Sequence, residues 1–372
     1  MRPLGIYIHI PFCLRKCAYC DFYSGVSSPE EREAYVSALT EHIQDECQKL
    51  TEHKIDTVFF GGGTPSILTP NQFHRILSAV DKHGNLAPDA EITFEANPAT
   101  LTYKNLCDYR TAGANRVSIG LQSASDTELK LLGRIHTAAD FEVTYNHCRQ
   151  AGFDNINVDL MYGIPAQTAE SFRKTLDFVT RHDPEHISAY SLILEPGTPL
   201  YERANQLSIP DGDEAADLYD LLCAHLSKVG YEHYEISNFA KDGYRCRHNV
   251  KYWEREEYLG FGPSAHSFFG GCRFYYPTDR TAYLSPLTRQ FIPEDEGGEL
   301  TDAEEVIMLA MRLSDGVDVA KLKADFGLDF EAKYQEKIQP YIKSGHIRKT
   351  PQGYAFTDRG MFVSNYILAE IL

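Results

Sequence analysis

Cys13, Cys17 and Cys20 follow the spacing C-x3-C-x2-C within residues 5 to 22, GIYIHIPFCLRKCAYCDF. Such spacing lets soft sulfur ligands converge on one small volume, which suits a disulfide, a redox pair, zinc or an iron–sulfur cluster. Disulfides fit poorly. The chain has nine cysteines, an odd number, over 372 residues, and Met1 leads into strand-like sequence without a charged-then-apolar leader. These features set the expectation of a reducing, cytoplasmic location. Structural zinc is usually held by two separated ligand pairs, and no second C-x2-C occurs downstream. Three thiolates on one loop suit a cubane cluster best. A 4Fe–4S cluster normally takes four protein thiolates, so three leave one iron open for a ligand that is not protein.

A thiolate loop needs rigid elements to aim it. The β-branched run Ile6 to Ile10 reads as a strand stopped by Pro11. Ser28-Pro29-Glu30-Glu31 supplies an N-cap, a first-turn proline and a capping-box acid, and Val36, Leu39, Ile43 and Cys47 then recur at helical spacing. A strand at Thr57 to Phe60 runs into Gly61-Gly62-Gly63-Thr64-Pro65, and Thr69-Pro70-Asn71-Gln72 repeats the capping logic. Strands follow at Glu91 to Ala96, Arg116 to Leu121, Ile156 to Met161 and His186 to Leu192, with helical patterns between them. Ala112-Gly113 and Ala151-Gly152 read as glycine C-caps entering strands. Strand and helix alternating six times implies parallel pairing by right-handed crossovers, hence an open or closed β/α barrel whose chemistry gathers at the C-terminal strand ends. Tyr7, the Gly61 to Thr64 turn, Glu95, Asn97, Gln122 and Asp159 all fall at or near those ends. Lone charges in apolar strands cost free energy unless they find a partner.

The net charge of −17 argues against a broad nucleic-acid surface, because phosphate binding needs clustered Lys and Arg. No apolar run is long enough to cross a bilayer.

C-x3-C-x2-C with Tyr19 before the last cysteine resembles the radical S-adenosylmethionine superfamily. The resemblance implies that the amino and carboxylate groups of S-adenosylmethionine chelate the open iron, and that the cluster supplies the electron that cleaves it. YIHIPFC, GGGTPS, FEANP, SIGLQS, LLGRIH, NVDLMYGIP and GFGPSAHS are similar to the oxygen-independent coproporphyrinogen III oxidase group of that superfamily. Carried over by motif, Cys13, Cys17 and Cys20 would hold the cluster. Tyr7, Tyr19, Gly62, Gly63, Thr64, Glu95, Gln122, Arg134 and Asp159 would line the S-adenosylmethionine site, with Ser191 and His266 as weaker candidates. In that reading the Gly-Gly backbone meets the methionyl ammonium, Arg134 its carboxylate, and the acids the ribose hydroxyls.

Within the group, oxidases that convert coproporphyrinogen III to protoporphyrinogen IX compete with haem chaperones of the HemW type. Phe22 stands where oxidases carry a further cysteine, and twelve residues precede Cys13 where oxidases have an N-terminal arm. His248-Asn249-Val250-Lys251-Tyr252-Trp253 reads H-N-x-x-Y-W, a HemW hallmark that includes the chain's one tryptophan. The resemblance therefore implies a chaperone that binds haem and delivers it to recipient haemoproteins, with His248 supplying an imidazole to the iron and Tyr252 and Trp253 planar contacts. It allows a reductant protein of flavodoxin or ferredoxin type and a homodimer. Cys246, Cys272 and His233 read as packed bystanders.

The expected architecture is a radical S-adenosylmethionine partial (β/α)6 TIM-like barrel over residues 1–240, a connecting region over 241–299 and a winged-helix-like domain over 300–372. In the last part, Thr301 to Leu313, Val317 to Phe326, Phe330 to Lys343 and Arg359 to Leu372 read as helices. His346 to Thr350 and Tyr354 to Thr357 read as a hairpin. The acidic run Glu294, Asp295, Glu296 and Glu299 favours packing or protein contact over DNA.

Overall fold

The computed structural model describes residues 1–98, 100–294 and 300–372, and its centre is a run of six neighbouring parallel strands. These are β1 (Arg2–Ile10), β2 (His53–Gly62), β3 (Leu86–Ala96), β4 (Arg116–Gln122), β5 (Ile156–Tyr162) and β6 (His186–Ser191), hydrogen-bonded in chain order. Helices α1 (Pro29–Cys47), α2 (Pro70–His83), α3 (Tyr103–Thr111), α4 (Asp126–Leu131), α5 (Ala138–Gln150) and α6 (Ala169–Thr180) make the crossovers. The anticipated caps form. Ser28 Oγ accepts from the Glu31 N–H at 3.2 Å while Glu31 accepts from the Ser28 N–H at 2.7 Å, and Thr69 with Gln72 does the same at the start of α2. Each helix thereby satisfies orphan backbone donors that would otherwise face a crowded surface.

Alternation along the strands separates two chemistries. Ile6, Ile8, Val58, Phe60, Phe94, Val117, Ile119, Val158, Leu160 and Ile187 are buried beneath the helices in one core. The intervening residues Thr57, Thr93, Arg116, Ser118, Asn157, His186 and Ser188 are buried as well, yet polar. Cross-strand register joins Glu95 to Ser118, Gly120 to Asp159 and Asp159 to Ser188, so the inner face is a polar wall rather than a packed apolar one. Several of its members satisfy one another: Asn157 Nδ2 donates to Ser118 at 2.7 Å and to Asp159 at 2.7 Å, and its carbonyl meets His186 Nδ1 at 2.6 Å.

Beyond β6, α7 (Pro199–Glu202) and α8 (Gly212–Lys228) lead to the hairpin β7 (Glu232–Glu235) and β8 (Asn238–Ala240), which extends the sheet antiparallel to β6. Helix α9 (Arg247–Trp253) follows, then β9 (Tyr258–Phe261) parallel to β1, then β10 (His266–Phe269), β11 (Cys272–Tyr275), α10 (Arg280–Tyr283) and β12 (Ile292–Pro293). The sheet order β12-β11-β10-β9-β1-β2-β3-β4-β5-β6-β8-β7 has two ends, so the barrel is open among the described residues.

The C-terminal part has its own core, including Ile307, Leu322, Tyr334, Ile338, Phe356 and Ile367. Helices α11 (Asp302–Ala310), α12 (Val319–Phe326) and α13 (Phe330–Lys343) pack on a small sheet in the order β13 (Val317–Asp318), β15 (Gly353–Phe356), β14 (Ile347–Lys349). Two expectations change here. Val317 and Asp318 are strand, pairing with Tyr354 and Gly353, because the Asp318 side chain caps the N-terminus of α12, so that helix starts at Val319, two residues later than expected. The final helix is two, α14 (Asp358–Phe362) and α15 (Ser364–Ile371), broken at Val363 with ψ 18°. Of the acidic run, Asp295, Glu296 and Glu299 lie outside the described residues. No described helix is long and apolar enough to cross a membrane.

Candidate cofactor-binding site

Pro11 ends β1, and the loop after it is pinned at its base where the Cys13 N–H donates to the Gly25 carbonyl at 3.0 Å and the Gly25 N–H to Pro11 at 3.1 Å. Its middle is tied to the far wall by Ala18 N–H to Leu132 at 2.9 Å and Leu200 N–H to Ala18 at 2.8 Å. So held, Cys13, Cys17 and Cys20 all face one cavity of about 510 Å³ at the C-terminal strand ends. The Thr64 hydroxyl donates to Cys13 Sγ at 3.3 Å and Arg134 Nη1 to Cys17 Sγ at 3.5 Å. Burial, with the neighbouring thiols Cys17 and Cys13, holds the Cys20 thiol above its ordinary range. Three neighbouring thiols with donors aimed at two of the sulfurs fit a cluster that needs thiolates, and among the described residues Cys13, Cys17 and Cys20 are the only cysteines lining this cavity.

Tyr19, Gly62, Gly63, Thr64, Glu95, Gln122, Arg134 and Asp159 line the same cavity. At Gly62 the backbone has φ 106°, and a Cβ there would stand 2.6 Å from the His9 ring; at Gly63 one would stand 2.6 Å from the Phe12 carbonyl. Only glycine lets this turn pass under the thiolate loop. A bulge between Gly120 and Gln122 shifts the β4 register, and Gln122 takes φ 71°, a left-handed conformation that a glutamine holds only at a cost. Arg134 is fastened by Nη2 donating to the Gly120 carbonyl at 2.7 Å and to the Asn97 side chain. Its buried Nε has no partner among the described residues, an unpaired donor of the kind that suits a carboxylate.

Glu95 and Asp159 are both buried carboxyls in this wall. Burial first, then the Asp159 charge, push Glu95 up to about 8, against a hydrogen bond from the Gly62 backbone. Burial also raises Asp159, although Ser118 Oγ at 2.9 Å and Asn157 Nδ2 at 2.7 Å donate to it. Two acids in one wall, one held near neutrality, can both donate and accept, which suits vicinal hydroxyls.

Two residues expected at the site are elsewhere. Tyr7 lies outside the cavity lining, with its hydroxyl 3.1 Å from His9 Nδ1 and its ring stacked 6.5 Å from His248. His248 is 1 % exposed and does not line the cavity either. Its Nδ1 is 2.8 Å from the Thr57 hydroxyl and its Nε2 2.8 Å from Tyr252, so both ring nitrogens are committed. The Glu91 carboxylate accepts the His248 and Arg247 N–H groups at 3.1 Å, which fixes the start of α9 against the inner wall. For His248 to take the haem-ligand role expected from the motif, its ring would have to give up the Thr57 or the Tyr252 hydroxyl. Ser191 does line the cavity; His266 sits on β10, bonded to Glu294 at 2.5 Å.

Gly120 and Tyr190 were not among the expected site residues, yet they line the cavity, as does Asn97, which the sequence placed at the end of β3 without assigning it to the cofactor. Asn97 and Gly120 stand two residues from Glu95 and Gln122, and the alternation of a strand would have placed each on the same face as its neighbour. The rim adds Arg15, Lys16, Asp21, Phe22, Ile193 and Glu195.

The family model of the Radical SAM superfamily matches residues 7–179, and that of the HemN C-terminal domain matches residues 299–363. The chain is 34% identical over 374 residues to the heme chaperone HemW of Lactococcus lactis subsp. lactis (strain IL1403), covering 100% of this chain and 98% of that protein. It is 34% identical over 376 residues to the heme chaperone HemW of Escherichia coli (strain K12), covering 100% and 99%. Among solved structures, coproporphyrinogen III oxidase (HemN) from Escherichia coli superposes with a TM-score of 0.83 at 24% identity, covering 100% of this chain and 90% of that one. That likeness speaks to the fold.

Proposed function

This chain belongs to the HemW family of radical S-adenosylmethionine proteins, and from that premise we propose that it carries haem to recipient proteins while holding a 4Fe–4S cluster and S-adenosylmethionine in the cavity above β1 to β6. The observation that carries the cofactor reading is the convergence of three, and only three, cysteines beside the unpaired Nε of Arg134. A bound cluster supplies an open iron and an electron to its ligand. The chain's own groups do the holding. Arg134 takes a carboxylate, Gly62 and Gly63 let a ligand approach the backbone closely, and Glu95 with Asp159 faces hydroxyl groups.

With His248 committed inside the wall, the haem seat in this reading is the cavity rim. Phe22 is 69% exposed and Ile193 67% exposed, two large apolar side chains facing water at the mouth. A flat tetrapyrrole would cover them, with Arg15 and Lys16 available to its propionates. Phe22 itself replaces a sulfur with an apolar surface where the oxidases carry a cysteine. The test is a haem titration of cluster-loaded protein followed by absorbance. Phe22→Asp and Ile193→Asp should each weaken binding by about tenfold or more, since each removes apolar burial worth about 1.5–3 kcal/mol. Unchanged affinity in both variants would reject the rim as the seat.

A further inference from the structure

A second polar cleft, of about 390 Å³, lies between the barrel side and the C-terminal part. Three of its lining residues come from elements far apart in sequence: Cys223 from α8, His233 from β7 and Asp358 from the first turn of α14. One potential ligand atom from each lies within 4.8 Å of the other two. We propose that Cys223, His233 and Asp358 bind one divalent transition metal ion of the zinc class, which clamps the C-terminal part to the barrel.

The donor set is the first argument. A thiolate, an imidazole and a carboxylate together suit a borderline ion such as zinc or cobalt and not magnesium or calcium, which prefer oxygen. Around such an ion, sulfur at about 2.3 Å and nitrogen at about 2.0–2.1 Å stand roughly 3.5 Å apart, so modest side-chain movement from the observed spacing closes the shell.

The second argument is an unspent donor. His233 Nδ1 is 2.9 Å from Asp358 Oδ1, which alone would make an ordinary contact between the two parts. His233 Nε2, however, is buried without a partner among the described residues, and the side chain is 8% exposed. The ring is held rigid by stacking 4.3 Å above Phe239 at 14°. The buried Ser314 Oγ on the cleft wall also lacks a partner. Buried polar atoms left unpaired cost free energy, and a bound ion with its water would offset it. Cys223 is 6% exposed, so its sulfur is held in the wall of the cleft. His233 reads in the sequence as a packed bystander; its unpaired nitrogen is what singles it out.

The experiment uses full-length, cluster-loaded protein, so that Cys13, Cys17 and Cys20 are already occupied. Zinc ion is added, free metal is removed by gel filtration, and zinc per chain is counted alongside the thermal midpoint. Cobalt(II) replaces zinc in a parallel sample read by electron paramagnetic resonance, where the oxidised cluster is silent. The expected result is one ion per chain, a raised midpoint and a high-spin cobalt signal, with Cys223→Ser and His233→Ala each weakening retention by about tenfold or more. Asp358→Asn changes a half-exposed side chain, preserves the fold and should also weaken retention. No retained ion in the parent, or retention unaltered in all three variants, would overturn the site.

Discussion

Arg134 touches three parts of the cavity wall at once: Cys17, the Gly120 carbonyl and Asn97. That fastening fixes the guanidinium by geometry rather than by flexibility, which a planar fork can exploit and an ammonium cannot. Arg134→Ala should therefore lower S-adenosylmethionine affinity by about tenfold or more, and Arg134→Lys should not restore it. Equilibrium dialysis of cluster-loaded variants checks this, and full rescue by lysine would mean that charge alone matters. Glu95 makes a pH prediction. Its folded value, about 8, sits above that of an unfolded glutamate, so the neutral acid favours the fold. That contribution is complete below the unfolded value and is lost as pH rises through about 8. Glu95→Gln should accordingly melt several degrees above the parent at pH 9 without ligand and show no such advantage at pH 4. Equal midpoints at both pH values would remove the buried-acid account. Most of these residues were legible from sequence because their types are costly inside a strand. Gly120 was not, since a glycine beside an obvious glutamine carries no charge signal of its own.

At the scale of the element, α9 shows how a motif can be seen and its placement missed. H-N-x-x-Y-W reads in sequence as a ligand-bearing segment. In the fold its first turn is capped by Glu91, and His248 and Tyr252 reach into the polar inner wall to meet Thr57 and one another. Lys251, 4% exposed, pairs with Asp56 at 2.9 Å and Glu256 at 2.6 Å. What the sequence could not supply was the partner: Thr57 and Glu91 are distant in the chain, and a buried imidazole is recognisable only when both its nitrogens are accounted for. The helix acts as a polar plug that satisfies the wall beneath the cofactor cavity. His248→Ala leaves the Thr57 and Tyr252 hydroxyls unpaired around a void and should cost about 2–4 kcal/mol in urea unfolding, with iron content and S-adenosylmethionine affinity retained. Undiminished stability together with lost haem binding would instead return His248 to the haem.

For the whole molecule, the six parallel strands and their crossovers were readable because capping boxes, glycine C-caps and β-branched runs all agree locally. The antiparallel hairpin β7 and β8 and the added strand β9 were not, because short edge strands carry little periodic signal and are fixed by the sheet they join. The C-terminal part joins the rest through charge: Arg255 and Arg273 both bind Glu305, and Arg245 bridges Glu232 and Asp315. The central claim concerns what the open end of the barrel handles. Its most direct test takes anaerobically reconstituted protein and incubates it in one sample with haem, and in another with coproporphyrinogen III, S-adenosylmethionine and reductant. The account predicts one haem bound per chain and no protoporphyrinogen IX. Protoporphyrinogen IX formed together with 5′-deoxyadenosine would contradict it and make the chain an oxidase.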